Sequence, residues 1–270
     1  MQIPLLPEQL SISLALICFL VIWITALISP AQRALTAITM ALLLLAVVAL
    51  LVGLAMRWER LGQGPFMTLF EVLHSNLFSL ALVYALLFWR VAKIRAAVHF
   101  GMGFFVLLAT WALASNTQAV ILPPTFDHPW LWVHVISGKF FLAFCMTATS
   151  LALLLLWRRV FRSFDDRVTA SSHDPLVWRL LAVAFVCHSF MLIAGAVWAH
   201  DAWGSYWSWD PLETWSLLTW LSLAVVLHTR ITFDLPLWLG WSLAVAVFVL
   251  AFLTFFGVPF ISHAPHKGVM

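Results

Sequence analysis

The chain has 270 residues, of which 64% are hydrophobic and only 9% charged, with a formal net charge of +3. No water-soluble domain of that length buries so much apolar surface, so the composition excludes a soluble globular protein and predicts a polytopic all-α membrane protein. The slight basic excess sits in loops between apolar stretches and is no argument for nucleic acid as a partner. Eight stretches are long and apolar enough to span as helices, at about 10–28, 34–55, 67–89, 97–114, 131–157, 176–199, 212–228 and 237–258, the seventh being the shortest. The first lacks a basic leader and a small-residue cleavage site, since Met1 to Leu10 carries only Glu8, and reads as a retained helix. Residues 1–270 read as one membrane-embedded domain with no repeat and no low-complexity linker.

Lysine and arginine set the expected orientation. Arg33 follows the first helix, Arg90, Lys93 and Arg95 the third, Arg158, Arg159, Arg162 and Arg167 the fifth, and Arg230 the seventh. These loops are predicted to face the cytoplasm. The opposite loops carry Arg57 and Arg60, with Lys267 in the tail, and gather Asp127, Asp201, Asp210 and Glu213. Both termini and the segment around 198–220 are therefore expected outside. Lys139, inside the fifth stretch, is expected to reach toward the outer surface. Cys18, Cys145 and Cys187 lie singly within helices and form no Cys-x-x-Cys pair, which fits small buried apolar residues better than thiol exchange.

The chemistry concentrates between Trp198 and Trp220, where six of the sixteen tryptophans surround Asp201, Asp210 and Glu213. Aromatic faces at this density suit a large flat ligand, while Gly204 and Pro211 are turn signals that hold the segment outside the bilayer. A tryptophan belt at the interface is the plainer account, but it requires neither the spacing nor the carboxylates. Asp210 just ahead of Pro211 reads as an N-cap for the seventh helix. Ten histidines in so uncharged a chain also need explanation, because ionisable groups at membrane depth are usually functional or paired. His134 stands at the outer mouth of the fifth helix, His228 ends the seventh, and His263 and His266 lie in the tail. His74 and His188 read as packed core residues.

The run Trp203-Gly-Ser-Tyr-Trp-Ser-Trp-Asp-Pro-Leu-Glu-Thr-Trp215, followed by Leu227-His-Thr-Arg230, resembles the WWD motif of haem-handling cytochrome c assembly proteins, most closely the CcsA/ResC branch of system II. Pro65-Phe-Met-Thr-Leu-Phe-Glu-Val-Leu resembles the family's Asn-Leu-Tyr-Glu-Ser-Leu segment, with Glu71 at its glutamate. The resemblance implies a noncovalent haem b cargo contacted by Trp203, Gly204, Trp207, Trp209, Asp210, Glu213 and Trp215. It implies His134 as one axial ligand of an outer haem. Counted without a gap from Phe256, the second outer ligand falls on His266, whereas His263 requires a three-residue deletion and the family's Gly-Leu-His-Ser-Tyr surround is absent. His228 corresponds to the family's membrane histidine, one ligand of a haem entering from the inner leaflet, whose other ligand comes from a CcsB/ResB partner. The implied function is haem transport across a bacterial inner or thylakoid membrane, and presentation to apocytochrome c carrying Cys-x-x-Cys-His. No catalytic residue is singled out, because thioether formation takes place on groups of the substrates, and a haem lyase role would be shared with the partner. A haem-binding assembly or regulatory protein of HemX type is the alternative. A solute transporter would predict repeat symmetry and broken helices, which the sequence lacks.

Overall fold

The computed structural model describes residues 6–28, 33–64, 67–161 and 166–261, and the tail histidines His263 and His266 lie outside them. The described residues are helical and connecting segments, with no strand among them, and they divide into two compact units that meet in sequence at Leu122 and Pro123. Among the described residues, seven helices are long and apolar enough to cross a membrane, and large side chains such as Ile17, Ile24, Val48 and Leu51 point outward from them. In water such exposure would be untenable; in hydrocarbon it is the expected surface, with the helices satisfying their own backbone polar groups. The chain is an integral membrane protein.

The first unit holds α1 (Pro7–Ile28), α2 (Arg33–Leu61), α3 (Leu69–Arg90) and α4 (Val98–Ala114), with a 3-10 turn at Ala92–Ala97 leading into α4. α1 and α3 each pack on both α2 and α4, giving a four-helix bundle. α3 starts at a capping box: the Thr68 side chain accepts from the Glu71 backbone N–H while Glu71 reaches back to Thr68 N–H. The second unit holds α5 (Pro129–Phe161), α6 (Asp166–Trp203), α7 (Pro211–Thr232) and α8 (Leu237–Phe252). α5 and α6 form its main seam, and α8 closes the bundle against α5 and α7. Beyond α8 the helix widens to a π turn at Leu253–Gly257 before a last α turn at Val258–Ile261. Pro259 explains the widening, because it brings no N–H and its ring would collide with the carbonyl one turn earlier.

Two sequence expectations need adjustment. α6 continues through Trp203, beyond the expected end at 199, so residues 200–203 of the aromatic run are helix rather than loop; Trp198 is buried in that helix. α7 is a full 22-residue helix but is not among the seven apolar enough to span by composition. Its interior carries Trp215, Ser216, Thr219, Trp220 and His228, and three of these are tied to neighbouring helices. His188 Nε2 of α6 meets Ser216 Oγ at 3.1 Å, Trp220 Nε1 donates to Ser189 Oγ at 2.9 Å, and Thr219 Oγ1 pairs with Thr254 Oγ1 at 2.8 Å. Hydrogen bonds between helices replace part of the missing hydropathy.

Candidate functional site at the aromatic end of the second unit

The contacts of His134 with Gly195, Phe141 with His188, and Ser216 with His188 make α5, α6 and α7 antiparallel neighbours. The start of α5, the end of α6 and the start of α7 therefore converge, and the aromatic run spans that end. α6 stops at Gly204, whose φ of +79° is the left-handed value of a helix C-cap; its N–H reaches the His200 carbonyl at 2.8 Å. Asp210 caps α7 as the sequence suggested, its Oδ1 accepting from Glu213 N–H at 2.9 Å with Pro211 in the first helical position. Glu213 turns back and accepts from both the N–H and Oγ of Ser208, at 2.7 and 3.2 Å. The two carboxylates thus brace the loop 204–210 from the side of α7. Just ahead of Asp210, Trp209 adopts φ 59°, a conformation that a bulky side chain takes at a cost of about 1–3 kcal/mol, and stands 68% exposed.

Three aromatic groupings follow. Trp198 Nε1 donates to the Thr125 carbonyl at 2.8 Å, and its ring meets Phe126 and Trp203 edge-on, with centroids 5.3 and 5.0 Å away. Trp207 and Trp209 form an edge-to-face pair at 5.7 Å. Tyr206 stacks on His200 at 4.2 Å. A cleft of about 290 Å³ opens beside Trp198, walled by Asp127, His128 and Asp201. His128 Nε2 lies 3.3 Å from Asp201 Oδ2 and His200 Nδ1 lies 3.5 Å from Oδ1 of the same carboxylate.

His134 joins this end. Its ring lies nearly parallel to Trp198, at 6.3 Å and 27°, and its Nδ1 is 2.8 Å from the Met191 carbonyl of α6. A carbonyl only accepts, so Nδ1 carries the proton and the lone pair of the neutral ring belongs to Nε2. This is the arrangement in which a histidine serves as a metal ligand, with the other nitrogen held by an acceptor of the protein. Haem therefore fits what the residues offer here: one oriented imidazole beside an aromatic wall.

The opposite end of the unit holds a constellation that sequence reasoning missed. Asp174 Oδ1 accepts from the indole N–H groups of Trp178 and Trp241 at 2.9 and 2.8 Å, while Oδ2 accepts from Arg230 at 2.8 Å. Arg230 of the Leu-His-Thr-Arg segment is thereby anchored, with its guanidinium over the Trp178 ring. His228, two residues earlier, is exposed on α7, its Nε2 3.3 Å from Thr232 Oγ1. His188 is buried deeper in the bundle, stacked on Phe141 at 4.1 Å.

In the first unit Glu71 belongs to a buried charge cluster. Arg57 donates to its Oε1 through both Nε and a terminal nitrogen, at 2.9 and 2.7 Å, and to Glu8 at 3.0 Å, and Arg60 also reaches Glu8. Glu71 Oε2 takes the N–H groups of Met67 and Thr68. Pairing with Arg57 and capping α3 thus occupy both oxygens of Glu71. His74 Nε2 lies 3.1 Å from the Leu50 carbonyl, in keeping with a packed core residue.

Comparison with known proteins adds a family. Residues 9–266 match the family model described as Cytochrome C assembly protein. The chain is 30% identical over 234 residues to "Cytochrome c biogenesis protein CcsA" of Chlamydomonas reinhardtii, covering 79% of this chain and 63% of that protein. With the protein of the same description from Parasynechococcus marenigrum (strain WH8102) it shares 32% over 233 residues, 74% of this chain and 76% of the relative. A 104-residue stretch is 46% identical to the Gloeobacter violaceus counterpart, of which it covers 29%. Among solved structures, "Cytochrome c Heme Lyase CcmF" superposes with a TM-score of 0.69 at 18% identity, over 99% of this chain and 49% of that one. That likeness is one of fold, and the chain spans about half the length of that protein.

Proposed function

From a chain that belongs to the cytochrome c assembly protein family, we propose a CcsA-like role: carrying haem to the aromatic end of the second unit and presenting it to apocytochrome c. The observation that carries this reading is His134, whose Nδ1 is committed to the Met191 carbonyl so that Nε2 is the ligating nitrogen, beside Trp198. In this reading His134 supplies one axial ligand of a haem b and a tail histidine, His266 or His263, the other. Two neutral imidazoles on opposite faces hold six-coordinate iron and shield it from oxidants. Trp203, Trp207, Trp209 and Trp215, with Gly204 as the turn between them, contribute contact area and exclude water, while Asp210 and Glu213 keep the loop in shape. Attachment adds the two thiols of Cys-x-x-Cys-His across the haem vinyl groups, and the contribution of this chain is to hold the porphyrin edge toward them.

His228 is the ligand at the entry side. Its exposure on α7 suits completion of the coordination by a histidine of a CcsB/ResB-like membrane partner, and Asp174 fixes the helix end from which it projects. In this reading, which the loop charges support, the entry faces the cytoplasm, and both termini and the WWD segment face the periplasm or lumen of a bacterial inner or thylakoid membrane.

The test is His134→Gly in the full chain co-expressed with its partner. Haem content and cytochrome c maturation should fall, and free imidazole should restore part of both by refilling the vacated position. A wild-type haem spectrum in that variant would remove His134 from the site and this reading with it.

A further inference from the structure

We propose that Gly195 is a positioning residue for His134: the absent side chain is a notch in α6 that receives the imidazole ring and sets the height at which Nε2 is offered. This rests on the reading of His134 as a haem ligand. A β-carbon at position 195 would lie 2.5 Å from Nδ1 and 2.8 Å from Cε1 of His134. Both atoms belong to a rigid ring that cannot fold away. The carbonyl that receives Nδ1–H belongs to Met191, one helical turn before Gly195, so hydrogen bond and notch are two parts of the same patch of helix surface. Trp198, three residues beyond Gly195, lies along the same face and runs nearly parallel to the ring. The imidazole is therefore located by an acceptor, by a floor without a side chain and by an aromatic neighbour, all supplied by α6.

Gly138, in the same seam, provides the contrast. A β-carbon there would come within 2.9 Å of Met191 Sδ, the far part of a flexible side chain that can turn aside. Closeness of the helices alone would make the two glycines equivalent. Only Gly195 faces a side chain whose position matters chemically.

Normal carbon contacts begin near 3.5 Å, so Gly195→Ala must move the His134 ring by roughly 1 Å. A ligand constellation tolerates about 0.5 Å. In the full chain with its partner, Gly195→Ala is expected to convert the outer haem from six- to five-coordinate and to lower haem affinity about tenfold or more, as loss of a ligand's support does. Free imidazole should restore the six-coordinate spectrum, and Gly195→Ala combined with His134→Gly should be no worse than His134→Gly alone. Gly138→Ala should keep the wild-type spectrum. Should Gly195→Ala accumulate poorly, the haem-free melting temperature decides: shrinking the ring with His134→Ala should restore it if the clash is with that ring.

A wild-type spectrum in Gly195→Ala overturns the proposal, as does an equal loss in Gly138→Ala, or a destabilisation that His134→Ala does not relieve. An unchanged spectrum in His134→Gly would instead dismiss the ligand assignment itself, so the two failures are distinguishable.

Discussion

Asp174→Asn tests how the Arg230 end of the second unit is held. The carboxylate takes three donors: two indole N–H groups on Oδ1, and the Arg230 guanidinium on Oδ2. Asparagine can keep its amide oxygen under the two indoles, but its NH2 then faces Arg230, donor against donor. The charge-assisted bond, about 1.5–3 kcal/mol, is lost while the two neutral ones survive. Asp174→Ala loses all three and should cost more, about 3–5 kcal/mol, because Trp241 and Trp178 are left with nothing to donate to. For a chain of this size the asparagine variant should melt on the order of 5 °C lower. Tryptophan-fluorescence melting in detergent measures this. A cycle with Arg230→Met isolates the pair, with an expected coupling of about 1 kcal/mol or more. If Asp174→Asn melts like wild type, or its effect simply adds to that of Arg230→Met, Asp174 does not anchor α7.

Removing the Asp210 cap with Asp210→Ala should cost about 1 kcal/mol and lower haem retention, read by melting temperature and haem content together. Trp209→Gly should leave stability unchanged or raise it by relieving the φ of 59°, yet reduce maturation because the exposed ring is gone; a stability loss would refute the strain argument. Arg57→Gln should destabilise by about 3–5 kcal/mol, since it leaves Glu8 and Glu71 buried without their counter-charge, and Glu8→Gln combined with it should recover part of the loss. Cysteine placed at Ser205 should react with membrane-impermeant reagents from the periplasmic or lumenal side, and labelling from the cytoplasm would reverse the proposed haem route.

The helices were legible because apolar runs of this length have few alternatives in lipid, and Asp210-Pro211 announced the start of α7 through local chemistry alone. The cap and the turn at Gly204 both rest on short-range rules. What escaped were features whose meaning depends on distant partners. Asp174 beside Pro175 looked like a loop residue, and the indole and guanidinium that define it come from 67 and 56 residues away. Glu8 was visible only as the acid near the start, not as the second partner of Arg57. The Met191 carbonyl has no signature, since every residue has one, and Gly195 reads as one small residue among many until the ring above it is placed. The last turn of α6, over 200–203, was masked by aspartate, tryptophan and the following glycine, which suggest a loop until packing of Trp203 against Trp198 decides otherwise.

The polarity of α7 bears on the order in which the chain can be assembled during synthesis. A segment with two serine or threonine anchors, two tryptophans and a histidine partitions poorly into lipid when it emerges alone. Ser216 and Trp220 can find His188 and Ser189 at once, because α6 has already been made, but Thr254, the partner of Thr219, is translated 35 residues later. α7 therefore settles fully only when α8 arrives behind it, so that the two enter as a hairpin. Ribosomes stalled between the two helices should leave α7 still accessible to water-soluble reagents, and release of α8 should close it off.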